Sequence, residues 1–187
     1  MMDVMEALYT RRSIRKYRNE PVSREQLLKL LEAATLAPSG SNLQPWSFAV
    51  IQDSGLLQSY SDRAKTIFLN WMADKPDPQN YKTLLAKADF NIFYNAGTLV
   101  IIYAAPGNPM AYGDCAMAAQ NLMLAAHAAG LGSCWIGFAM GLFDSAEFKR
   151  ELGIPETHKA VAPLILGCPE TVSSGYSRKP PEVLAWK

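Results

Sequence analysis

Residues 114–131 read DCAMAAQNLMLAAHAAGL, and the fold turns on how that stretch is covered. Alanine and leucine dominate it, which favours a helix, and Gly130 or Gly132 closes it at the C-terminal end. After Asp114 its only polar members are Gln120, Asn121 and His127. A helix apolar on every side has to be buried on every side. In a chain of 187 residues that makes it central, covered partly by the chain's own sheet and partly by a second subunit. Composition points the same way, because 49% of residues are hydrophobic and only 19% charged, leaving apolar surface in need of a partner.

Around this helix the rest of one domain, 1–187, can be laid out. Thr98–Ala104 (TLVIIYA), Trp46–Ile51 and residues 160–166 (AVAPLIL) read as strands, with another over 133–138. Asp3 and Ser23 precede Glu6 and Gln26 at capping-box spacing, so helices begin near residues 4 and 24. The second puts Leu27, Leu30, Leu31 and Ala34 on one face and stops before Pro38. A short helix opens at Asp144-Ser145 and ends before Gly153 and Pro155. Residues 54–97 form a helical insertion, one helix to Met72 and a second to about Tyr94, placed either as a lid over substrate or as a solvent-facing embellishment. Residues 169–187 are rich in Pro, Gly and Ser yet finish with Val183, Leu184 and Trp186, an apolar trio that suits an arm embracing a partner subunit. Strands separated by helices give a three-layer mixture of α and β elements.

Charge excludes several functions. Eighteen basic against 17 acidic side chains leave a net +1, too little to hold nucleic acid or an anionic membrane surface. No apolar run has membrane length and the start, MMDVME, lacks a secretory leader, so a soluble cytoplasmic protein is expected. Cys115, Cys134 and Cys168 are odd in number and far apart, which suits reduced thiols. A phosphate loop, a dinucleotide G-x-G-x-x-G and a serine-hydrolase elbow are all missing. Neither histidine has ligand-like neighbours, so no metal is expected. The hard chemistry then falls to a bound cofactor.

Two stretches carry the chemistry. Residues 11–15, RRSIR, set three arginines around a serine, and guanidinium forks match phosphate oxygens. Alone, such a run is more commonly a solvated face. Residues 38–46, PSGSNLQPW, form a tight loop leading into a strand, and its small residues let backbone approach a flat ligand.

Together, in this order, with Gly113-Asp114-Cys115-Ala116, the alanine-rich helix, the Gly130–Gly137 stretch GLGSCWIG and a late Arg178, these motifs make the chain resemble the FMN-dependent nitroreductase family over nearly its whole length. The resemblance implies an α+β fold: an α-β-α sandwich with a central, mostly antiparallel mixed sheet, built as an intertwined homodimer that exchanges C-terminal arms. It implies that Arg11, Arg12, Ser13 and Arg178 hold the FMN phosphate and ribityl chain. Arg15 reaches the N1/O2 edge of the flavin, where a cation steadies the reduced form. Pro38, Ser39, Gly40 and Asn42 come from the partner subunit, so each site is made by two chains, while Gln44 and Trp46 support the loop. Many family members carry serine or threonine at the position of Gly40. Cys134, Trp135, Ile136 and Gly137 meet the flavin near N5 and O4 through backbone groups. Arg63, Lys65 and Asn70 are candidates for polar contacts from the insertion. The implied activity is NAD(P)H-dependent reduction of a small-molecule electron acceptor in a ping-pong cycle, with no side chain as acid or base. Nitroaromatics, quinones and free flavins are candidate acceptors. A flavin reductase, ene-reductase or reductive dehalogenase shares the scaffold, and a flavin-binding regulator without turnover is the alternative from another class.

Overall fold

The computed structural model describes residues 2–18, 20, 22–172 and 177–187. Its centre is a four-stranded sheet of β1 (Trp46–Ile51), β2 (Thr98–Ala104), β3 (Gly132–Trp135) and β4 (Lys159–Gly167), in the order β1-β2-β4-β3. All three strand pairings are antiparallel. Among the described residues one parallel bridge, Ser13 to Ser133, attaches the N-terminal segment beyond β3 and gives the sheet its mixed character. Every residue of β2 is buried, as an unbroken apolar run in a central strand requires. At the other edge no described residue pairs with the outer side of β1, which borders a groove of about 470 Å³ walled by Leu152, Gly153, Ile154, Pro155 and His158.

Helices cover both faces. On one face α2 (Arg24–Thr35) and α5 (Ala111–Ala128) enclose Val100, Ile102, Val161 and Leu164 of the sheet. On the other, α3 (Ser54–Met72), α4 (Tyr81–Leu85), α6 (Met140–Phe143) and α7 (Ala146–Glu151) close over Leu99, Ile101, Tyr103 and Ile165. This is the three-layer sandwich. Both expected helix starts are capped: Asp3 accepts from the Glu6 amide ahead of α1 (Val4–Thr10), and Ser23 forms a full capping box with Gln26. The central helix begins three residues earlier than its sequence suggests, at Ala111, and Gly130 closes it at φ +76°.

The insertion departs from expectation. Its second helix, expected to reach about Tyr94, stops at Leu85. Side chains take over the backbone donors beyond it: Asn91 Oδ1 accepts the Phe93 amide at 2.8 Å and Ser61 Oγ the Ile92 amide at 3.0 Å, while Tyr94 and Asn95 turn to φ 53° and 55°. The buried Lys65 donates to the carbonyl of Phe90 at 2.9 Å and pairs with Asp62 at 3.0 Å. The strand expected over 133–138 ends at Trp135, although the Ile136 amide still reaches the Pro163 carbonyl at 2.9 Å.

The segment carrying RRSIR lies along the end of the sheet. Ile14 N donates to Ser133 O at 2.9 Å, Arg18 N to Cys168 O at 2.8 Å and Glu170 N to Lys16 O at 3.1 Å. Two glycines make this close approach feasible. A Cβ on Gly132 would lie 2.8 Å from Ile14 Cβ, and one on Gly167 would lie 2.8 Å from the Tyr17 ring. Gly132→Ala should therefore lift Ile14 from the sheet and lower stability by about 1–3 kcal/mol, the usual cost of overpacking, as a drop in thermal midpoint. An unchanged midpoint would show that the segment is not pinned there.

Candidate active site

Arg12 and Arg178 lie near Arg11, and Arg11 and Arg12 lie near His127 in the last turn of α5. Burial first, then the neighbouring Arg178 and Arg12 guanidiniums, push the Arg11 pKa below its ordinary value. Arg12 folds back so that Nη1 donates to the carbonyls of Tyr9 at 2.7 Å and Arg11 at 2.9 Å. The ion pairs among the described residues join other groups, and no carboxylate is paired with Arg11, Arg12, Arg15 or Arg178. Like charges gathered without a counter-ion repel, and an anion placed among them relieves that repulsion. Ser13, bridged to Ser133, lies against Cys134.

Beside this cradle Arg15, Tyr81, Tyr94, Cys134, Trp135, Ile136, Gly137 and Phe138 line a cavity of about 230 Å³. Two sequence motifs far apart, 11–15 and 134–137, thus meet in one place. The Arg15 guanidinium stands 5.8 Å from the centre of the Tyr94 ring, which orients the cation over the cavity. A Cβ on Gly137 would touch nothing within 4 Å, so its backbone faces open space that a flat ligand can approach. Burial raises the Cys134 thiol, and burial raises the Tyr17 phenol, whose hydroxyl is already donated to Ile14 O at 2.7 Å. Neither group ionises near neutral pH, so neither supplies a nucleophile or base.

The loop of Pro38, Ser39, Gly40 and Asn42 lies elsewhere in the same chain. Gly40 N is bonded to Asp114, in the first turn of α5, whereas Thr10, next to Arg11, is bonded to His127 in its last turn at 2.7 Å. The helix from Asp114 to His127 spans about 20 Å at 1.5 Å per residue. Arg63 is engaged by Glu151 at 2.7 Å and Glu147 at 3.2 Å, and Lys65 by the insertion's own carbonyls, so both are ties within the fold. Tyr81, Tyr94 and Phe138 line the cavity unannounced by any sequence motif; only their aromatic character inside the insertion and after Gly137 marks them. No cluster of potential metal ligands occurs among the described residues, and no helix of those residues is long and apolar enough to cross a membrane.

An arginine group without carboxylate partners among the described residues lies beside a cavity lined by Arg15 on this sandwich, and comparison with known proteins gives the scaffold its class, an oxidoreductase, and its family. Residues 8–168 match the profile of the nitroreductase family, to which the chain belongs. An Archaeoglobus fulgidus protein, described provisionally as an NADH dehydrogenase/NAD(P)H nitroreductase, is 30% identical over 181 residues, covering 94% of this chain and 91% of its own. The Bacillus subtilis FMN reductase [NAD(P)H] is 29% identical, covering 98% of this chain and 73% of its own. The solved structure of a Bacteroides fragilis nitroreductase with bound FMN superposes with a TM-score of 0.78 at 31% identity, covering 99% of this chain and 96% of that one.

His127 reports on the cradle. Burial, then Arg11 and Arg12, lower its pKa from 6.5, so as the pH falls below 6.5 the unfolded chain takes up the proton first and stability declines. The ligand-free protein should lose thermal stability between pH 7 and 5.5, and His127→Gln should flatten that slope. An equal slope in both proteins would remove His127 from the cradle's field.

Proposed function

We propose that the chain is an FMN-dependent oxidoreductase that takes hydride from NAD(P)H and passes it to a nitroaromatic, quinone or related acceptor in a ping-pong cycle, as a cytoplasmic homodimer. The observation that carries this reading is the convergence of Arg11, Arg12 and Arg178 without a carboxylate partner, next to the cavity of Arg15 and Gly137. A phosphate dianion is the ligand such a cradle fits, because several fixed donors and three positive charges match its oxygens. FMN bound there supplies the hydride-accepting ring that this chain's own side chains lack.

The residues divide the work. Arg11, Arg12, Ser13 and Arg178 bind the phosphate end and fix the register of the ring. Arg15, steadied by Tyr94, brings positive charge to the cavity and favours electron density arriving there. The open face of Gly137 and the backbone of residues 134–136, which line the cavity, would give the ring edge room to approach. Cys134, whose thiol burial holds neutral, adds no competing acid–base chemistry to the cavity it lines. The name of the B. subtilis relative supports free flavin as one acceptor to be tried.

Sharing of the site between subunits fits three features. The Pro38–Asn42 loop sits a helix length from its own cradle, so its flavin is the partner's. Val4, Leu8 and Tyr9 of α1 are 66%, 49% and 71% exposed, leaving an apolar face in need of cover. Leu184 and Trp186, near the end of the arm, are 91% and 90% exposed and touch little of their own chain. Within that arm, residues 173–176 lie outside the described residues.

Freshly purified protein should be yellow, release FMN on denaturation, and bleach when NAD(P)H is added anaerobically; a bound flavin that does not bleach would leave only a binding protein. Arg15→Ala should keep FMN through the cradle yet be reduced at least about ten-fold more slowly in stopped-flow, the equivalent of about 1.4 kcal/mol of barrier. Unchanged kinetics would strip Arg15 of its role. Deleting residues 177–187 should give a monomer that loses flavin on gel filtration, and a truncated yellow dimer would contradict the arm exchange.

A further inference from the structure

The loop at 38–46 is held in a conformation that its residues do not favour alone. Ser41, Asn42 and Gln44 have φ of 52°, 55° and 46°, left-handed values that L side chains rarely adopt. Inside the loop, Asn42 N donates to Ser39 O at 3.0 Å, Leu43 N to Gly40 O at 3.1 Å and Gln44 N to Ser39 Oγ at 3.0 Å. Those bonds close the turn on itself and do not fix it to the body. Beyond the turn Pro45 O accepts the Ala105 amide at 2.8 Å, and the turn itself, Ser39–Gln44, is tied to the body by Asp114. Its carboxylate is 3% exposed and takes the Gly40 amide on both oxygens, at 3.3 Å each.

Asp114 is otherwise poorly supplied. Its remaining side-chain donor is Asn108 Nδ2, at 3.0 Å on Oδ2, and no cation pairs with it among the described residues. Asn108 is in turn fixed by accepting the Met110 amide at 2.8 Å. A buried carboxylate with two donors holds each of them hard, because losing one leaves charge without compensation. Its place in the first turn of α5 suits a negative charge and sets it on the central, largely buried helix of the fold. Over the same spot lies Met110, whose Sδ would be 2.9 Å from a Cβ on residue 40, so the thioether fills the space a side chain there would use.

We infer that Asp114 is a positioning residue for the flavin: its carboxylate clamps Gly40 and holds the strained Ser39–Gln44 loop in the shape that meets the ring, with Asn108 bracing the clamp. The inference rests on the flavin reading above for what the loop touches, and on geometry alone for the clamp. It ties the one charged residue of an otherwise apolar helix to a site that this residue does not touch.

Asp114→Asn tests it, since the new amide sets a donor against Asn108 Nδ2 and leaves one oxygen for Gly40. In the apoprotein without flavin, amide exchange of the peptide covering 38–45 should quicken at least about ten-fold. Titrated with flavin, the variant should bind FMN and riboflavin about ten-fold more weakly, both by the same factor, because the loop meets the ring and not the phosphate. Arg12→Ala is the contrast, losing FMN affinity while riboflavin binding stays within two-fold. Should Asp114→Asn fail to fold, Asn108→Ala, at a half-buried surface position, should weaken both flavins about five-fold with a wild-type circular dichroism spectrum. Unchanged exchange, unchanged flavin affinity, or a loss confined to FMN would each overturn the clamp. Wild-type apoprotein that binds neither flavin would sink the flavin reading, and the exchange rates would still decide the clamp.

Discussion

The need to cover α5 on every side is the constraint from which the other features follow. Its buried face of Cys115, Ala118, Ala119, Leu122 and Ala126 presses on the sheet and on α2, and small alanines let those layers come close. Tyr112 and Met117 remain 63% and 40% exposed, so α5 keeps apolar side chains that the described residues leave uncovered. Each end of the helix is used as well. The first turn anchors a loop through Asp114, and the last turn faces Thr10 and the arginine cluster through His127.

Electrostatics completes what packing begins. The arginines of the cradle meet because the segment after α1 is hydrogen-bonded along β3 and β4, and that requires glycine at 132 and 167. Ion pairs elsewhere are neatly matched: buried Lys149 reaches Asp144 at 2.8 Å and Arg63 reaches Glu151 at 2.7 Å. Arg11 and Arg12, half-buried, and the exposed Arg178 have no carboxylate partner among the described residues, which supports the proposed anion site.

Much of the architecture was legible in the sequence because single segments carried it. β1 and β2 run over the residues their apolar runs mark, and Asp3, Ser23 and Ser145 cap the helices that their spacing announces. The second insertion helix is shorter than its sequence pattern suggests, because such a pattern does not reveal that Ser61, Lys65 and Asn91 claim the backbone groups of 87–93. At the candidate site, residues 11–15 and 134–137 stand out in the sequence because each is a short run, whereas their meeting in one place comes only from the fold. Tyr94 over Arg15, Ile14 against Gly132 and Asp114 under Gly40 were not legible, because each joins residues that only the tertiary fold brings together.

The open side of β1 has a consequence for the life of the polypeptide before it reaches its working form. An edge strand with free amides and carbonyls is a template for any other extended chain, and Val50 on it is 41% exposed. A newly made copy therefore carries an adhesive border from the moment the sheet forms until something occupies it. Yield and solubility on overproduction should depend on how quickly that border is capped, and slow expression at low temperature favours orderly capture over tangled association.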